Sequence, residues 1–103
     1  MKETVLVRQI LNYCSYQNLL FWRNQSGMIK TPTGGLIKMA IAGSPDIIGC
    51  YKGQFIGVEC KVGKNKQSQL QLDFAKRLEN NGGQYWLVYD LDQFINKVQT
   101  YGN

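Results

Sequence analysis

Three side chains have the types and spacing for metal-assisted chemistry. They are Asp46, in Gly43-Ser44-Pro45-Asp46, and Glu59 and Lys61, in Gln54-Phe55-Ile56-Gly57-Val58-Glu59-Cys60-Lys61. The first stretch reads as an acid at the start of one strand. The second reads as a strand carrying Glu-x-Lys, reached through a short hairpin turn at Tyr51-Lys52-Gly53. Side chains of a strand alternate between faces, so Glu59 and Lys61 share a face and Cys60 points away. The hairpin can bring Asp46 beside Glu59. Two carboxylates and a lysine on one face are costly unless something occupies the space between them. A divalent cation with an attacking water suits that space. Hard oxygen ligands suit magnesium or manganese, and the lysine can position the water or help deprotonate it. The other reading of Glu-x-Lys is a solvated ion pair at a strand end. Ile47, Ile48, Ile56 and Val58 weigh against it, because ionised carboxylates near a core need a partner.

The elements that must position these groups follow from periodicity. Val7, Ile10, Leu11 and Cys14 recur at helical spacing, which predicts a first helix over residues 2–17. Glu3 falls in its first turn, where the helix dipole favours an acid. Asn18 to Arg23 reads as a first strand, ended by the polar turn Arg23-Asn24-Gln25-Ser26-Gly27. Residues 24–45 are broken by Gly27, Pro32, Gly34 and Gly35. Beyond a short strand over Leu36 to Ile41, they read as a mobile flap that meets DNA or a partner chain, or else as disorder. Met28 and Met39 fall in this segment. Ser68 as N-cap with Gln71 at N3 is a capping box, and Gly82 stops the helix it opens. Leu70, Phe74, Ala75 and Leu78 form that helix's apolar stripe, with Asp73 and Arg77 on its outer face. Gln84 to Tyr89 is apolar on both parities. It reads as a strand covered on both faces, parallel to the Glu-x-Lys strand through the helical crossover, with Trp86 in the core. Leu91 to Tyr101 makes a last helix on Phe94, Ile95 and Val98.

The ordered pieces Gly43-Ser44-Pro45-Asp46, Glu59-Cys60-Lys61, Ser68-Gln69-Leu70-Gln71 leading to Phe74 and Leu78, and Gly82-Gly83 resemble the PD-(D/E)XK nuclease superfamily. Within it they resemble the small stand-alone VRR-NUC family of phage and bacterial type. Order and spacing agree over residues 43–90, and more loosely from the N-terminus. The resemblance implies an α/β fold with a restriction-endonuclease-like core, a mixed β-sheet flanked by helices in the order α-β-β-β-α-β-α. It implies a metal-dependent endonuclease hydrolysing DNA phosphodiesters with Mg2+ (or Mn2+). Asp46 and Glu59 would hold the metal, and the backbone carbonyl of Cys60 would complete the shell. Lys61 would orient the water and balance charge on the pentavalent transition state. A helix-1 acid that helps hold the metal or its waters is matched approximately by Glu3. Gln71 either caps its helix or reaches the active site or scissile phosphate. One geometry is expected to exclude the other. Arg23 is a candidate phosphate contact or a solvated strand-end arginine. The Val-Arg-Arg tripeptide that names the family is absent from this chain.

Composition bounds the rest. At 103 residues the chain is expected to be one domain, 1–103. Its net charge of +5 favours a polyanionic partner. Lys61, Lys64 and Lys66 cluster just after the Glu-x-Lys strand, and Lys30 and Lys38 lie in the 24–45 segment. With Arg23, the last four are the candidate DNA contacts. There is no histidine, and the three cysteines are isolated, which argues against a structural zinc site and against imidazole chemistry. No apolar run is of membrane-spanning length, and Met1-Lys2-Glu3-Thr4 opens no secretory signal. The expected location is therefore the cytoplasm, and the resemblance implies that of a bacterial or phage-infected cell. So small a chain offers little surface for reading bases, which favours recognition of branched or junction DNA through phosphates. Compact relatives resemble Holliday-junction resolvases, and a homodimer would place two sites on such a substrate. Two other readings stand beside this one. A non-catalytic basic DNA-binding module would bind DNA without regard to magnesium. A small interaction protein, basic only for solubility, would show no salt-sensitive DNA binding.

Overall fold

Parity along the strands decides which face of the sheet becomes the core. In the computed structural model, which describes all residues except 26, 39, 102 and 103 and all side chains of its strands except that of Lys38, Phe21, Ile47, Ile56, Val58, Cys60, Trp86 and Val88 are buried. The elements are α1 (Glu3–Tyr16), β1 (Leu20–Arg23), β2 (Met28–Lys30), β3 (Leu36–Lys38), β4 (Ile47–Tyr51), β5 (Gln54–Cys60), α2 (Gln69–Asn80), β6 (Gln84–Val88) and α3 (Leu91–Thr100). A four-stranded sheet runs in the order β1-β4-β5-β6. β1, β4 and β5 are antiparallel neighbours, and β6 lies parallel to β5 after the α2 crossover. This is the expected mixed sheet with flanking helices.

One face of that sheet carries the core. α1 contributes Leu6, Val7, Ile10 and Cys14, and α3 contributes Phe94 and Val98. Phe94 stands edge-on to Phe21, with ring centroids 5.5 Å apart, and 5.9 Å from Trp86. Trp86 is thus a core residue, as read from its strand. Asp90 caps α3 by accepting from the Gln93 amide.

Two expectations about the elements need correction. The 24–45 segment holds a second strand that its sequence did not reveal. β2 and β3 pair as an antiparallel ribbon separate from the main sheet, with Ile29 opposite Ile37. Every described side chain of this ribbon is exposed, so no core-facing alternation marks it. The short strand expected to reach Ile41 ends at Lys38, and Met39 lies outside the described residues. The apolar stripe of α2 is also rotated. Leu70 is 59% exposed, while Gln71, Phe74, Ala75 and Leu78 face inward and are half-buried. Asp73 accepts from Gln69 and makes no ion pair with Arg77. Among the described residues, no helix is long and apolar enough to cross a membrane.

Candidate active site

Asp46 sits one residue before β4 rather than in it. The β4–β5 register pairs Ile47 with Val58, so the next pair outward sets Asp46 across from Glu59. One step further, Cys60 would meet Pro45, which has no N–H to give. The ladder therefore stops, and the Cys60 amide donates to Asp46 Oδ2 at 2.9 Å. The carbonyl of Cys60 faces the same side as its amide, because an antiparallel pair exchanges both bonds through one edge. Pro45 can offer that carbonyl no ladder donor.

Two features hold the Asp46 loop in place. The Asn24 side-chain amide donates to Ser44 Oγ and to the Pro45 carbonyl, each at 2.9 Å. The Asn24 main-chain amide donates to the Asp46 carbonyl at 2.8 Å. On the other side, Gly43 has φ +81 and lies against the first turn of α2. A Cβ there would fall on the Leu70 carbonyl and approach the Gln71 nitrogen to 3.0 Å. Glycine is required for both the left-handed backbone and the close approach. Gly57 plays a related part in β5, where a Cβ would meet the Pro45 ring at 2.6 Å.

Glu59 is 2% exposed. Its Oε2 accepts from Gln71 Nε2 at 3.3 Å and lies 3.8 Å from Lys61 Nζ. Its Oε1 is buried without a hydrogen-bond partner among the described residues. Burial raises the carboxyl most, and the charge and close approach of Asp46 raise it further; Glu3 adds a smaller push. Lys61 opposes these effects, and the balance pushes Glu59 up to about 8. Lys61 is 12% exposed, and its main-chain amide donates to the Val88 carbonyl, which ties it to the end of β6. It makes the one ion pair among the described residues.

Gln71 does what its sequence position was expected to forbid. Its Oε1 accepts from the Ser68 amide at 2.8 Å, closing the capping box, while its Nε2 reaches Glu59. The two ends of one amide serve both roles, so the expected choice between them does not arise.

The remaining candidates lie further out. Glu3 Oε2 accepts from Asn65 Nδ2 at 3.1 Å, and the Asn65 carbonyl accepts from the Tyr89 hydroxyl at 2.9 Å. Glu3 is thus near enough to act on Glu59 but is held by Asn65. Arg23, Lys30, Lys64 and Lys66 are exposed and make no ion pair among the described residues. The Lys38 side chain lies outside the described residues. Asn24 and Asn65 escaped the sequence reading. Asn24 sits in an ordinary polar turn and Asn65 between two lysines, so neither is marked by type or neighbours.

The donor set can be tested against a metal. Among the described residues, no group of three or more His, Cys, Asp or Glu side chains converges. That does not suit zinc. Magnesium keeps several waters and is held by one or two carboxylates, which suits Asp46 and Glu59. The unpartnered, buried Oε1 of Glu59 is the observation that fits a cation best.

No family model matches the sequence, and no curated protein matches it. A structure titled "VRR_NUC domain" superposes with a TM-score of 0.72 and 19% identity, covering 96% of each chain. End to end, the chain shares the fold of a VRR_NUC domain, the family its motifs resemble.

Proposed function

We propose that this protein is a metal-dependent DNA endonuclease. The observation that carries this reading is the buried Glu59 carboxylate, unpartnered at Oε1, set against Asp46 and Lys61. Asp46, Glu59 and the Cys60 carbonyl would hold Mg2+ or Mn2+. Such an ion lowers the pKa of its water and offsets charge on the phosphate. Gln71 keeps the Glu59 carboxylate aimed through the Nε2 bond. Lys61, tied to β6 through its backbone, presents an ammonium to the attacking water and to the charge that grows on the phosphate. Glu3, held by Asn65, would bind outer waters of the ion. Arg23, Lys30, Lys38, Lys64 and Lys66 would meet backbone phosphates, which fits the net charge of +5.

The substrate would be branched DNA of the four-way-junction kind, cut by a homodimer. Among the described residues each helix packs against the sheet, and two sites related by a two-fold axis suit a symmetric branch point. Supercoiled plasmid and a four-way junction, incubated with magnesium, manganese or chelator, test both parts. Nicking or resolution should need a divalent ion and should vanish in Asp46→Ala and Lys61→Ala. Cutting that persists in chelator or in both variants overturns the mechanism. Tight binding without cutting, indifferent to magnesium, would instead identify a non-catalytic DNA-binding module.

A further inference from the structure

A trough of about 500 Å3 lies between α2 and β6, the last strand of the sheet. Small-molecule sites run to about 300–1,000 Å3. Its floor belongs to the same sheet face as Glu59, because Leu87 pairs with Glu59 and Tyr85 with Gly57. Leu72, Ala75 and Glu79 line it from one face of α2. Gln67 lines it at the start of α2, the end at which Gln71 touches Glu59. The trough is therefore a side arm of the candidate active site.

Its chemistry is that of a flat group with a polar edge. Leu72, Ala75 and Leu87 supply apolar walls, and Leu72 is left 46% exposed on a helix that could have buried it. Tyr85 adds a half-buried ring. Its hydroxyl oxygen is buried with no hydrogen-bond partner among the described residues. Burial pushes that hydroxyl up to about 12; the Gln67 side chain opposes this, and the charges of Glu59 and Asp46 add to it. Gln67 thus lies beside the orphaned oxygen while also facing the trough. The two ends of its amide can serve Tyr85 and a ligand edge together, as those of Gln71 serve Ser68 and Glu59. Lys76 and Glu79 stand exposed on the rim, one suited to a phosphate and the other to a ring N–H.

We propose that this trough holds one nucleobase of the substrate strand, swung out of the helix beside the metal site. This rests on the nuclease reading and narrows its substrate. A base is held in such a pocket by apolar contact on its faces and hydrogen bonds at its edge. Opening costs least where pairing is already weak, so the trough selects a branch point over plain duplex. The swung-out nucleotide lies next to the scissile phosphate, and Lys76 meets its phosphate.

DNA binding in chelator tests this without any cutting. A four-way junction is prepared with a single abasic spacer moved through each position about the branch. With the wild type, the spacer should weaken binding about ten-fold at one position, the ratio for 1.4 kcal/mol. Leu72→Trp fills the trough from an exposed position. It should bind the intact junction about ten-fold more weakly than the wild type and should ignore the spacer at that position. Ala75→Leu fills the same space by a second route, and circular dichroism checks both folds. Wild-type binding that responds equally to every spacer position overturns the inference, as does a filled variant that keeps the wild-type response. Either result leaves the nuclease reading standing, because junction binding persists. Absence of binding to any DNA would remove both.

Discussion

Gln71 Nε2 stands 3.3 Å from Glu59 Oε2 while the same side chain's Oε1 accepts from the Ser68 amide at 2.8 Å. The start of α2 and the aim of the buried carboxylate are therefore one structural fact. Removing the amide should cost both. Gln71→Ala should lose about 1 kcal/mol of stability, the usual worth of a helix cap, and should lower the nicking rate as well. Gln71→Glu separates the two effects. It keeps an acceptor for Ser68 but sets a second carboxylate against Glu59, so activity should fall further than stability. Denaturant melts and single-turnover nicking on the two variants give the comparison.

Asn24 acts on Asp46 through the backbone. Its side chain donates twice, to Ser44 Oγ and the Pro45 carbonyl. Asn24→Asp keeps the shape and removes both donors, and leaves a charge near two acceptors. A loss of about 1–3 kcal/mol is expected, the cost of leaving buried acceptors unpaired. Activity should fall through the turnover rate, with DNA affinity measured in chelator unchanged. If affinity falls instead, Asn24 touches DNA rather than positioning the acid.

Gly43→Ala should be among the most damaging small substitutions in the chain. The new methyl would strike the Leu70 carbonyl, and the backbone is left-handed at φ +81. Strained positions of this kind cost about 1–3 kcal/mol. Relief requires α2 to move away from the Asp46 loop, which would draw Gln71 off Glu59. Thermal melts and the Mg2+ dependence of nicking should shift together. Gly34→Ala, with nothing within 4 Å of its added Cβ, is the control at a similar positive φ.

Metal-free stability should fall as pH rises. Glu59 is pushed from an ordinary 4.5 up to about 8 in the fold, so the folded state holds a proton that the unfolded chain has lost. The stabilising contribution is complete below pH 4.5 and declines as pH rises through about 8. One such proton gives a slope of up to about 1.4 kcal/mol per pH unit. Glu59→Gln should flatten the slope between these limits. Magnesium should do the same in the wild type, by favouring the ionised carboxylate. Denaturant titrations across pH, with and without the ion, measure it.

The Asp46, Glu59, Lys61 grouping was legible because it needs only strand alternation and a tight turn. The α2 start was legible because Ser68 and Gln71 have the spacing of a capping box. The ribbon was not, since Met28, Ile29, Leu36 and Ile37 bury no face and so show no pattern against a core. The inward face of α2 was misread at Leu70, because a polar residue, Gln71, takes the place nearest the sheet. Gln71 was read as a single contact when its amide has a donor end and an acceptor end. Asn24 could not be found from type alone, as asparagine in a turn is ordinary and its partners lie 20 residues away.

The β4–β5 connection is only two residues long. Tyr51 pairs with Gln54, and Lys52 and Gly53 between them have φ 51 and 79, the type I′ geometry that matches strand twist. This turn sets the phase of the reactive hairpin. One residue inserted there would move β5 on by one place, setting Val58 across from Asp46, turning the Glu59 carboxylate into the hydrophobic interior and the Cys60 thiol toward the substrate. Length can drift in most loops of this chain at small cost, but here it is a ruler for the chemistry.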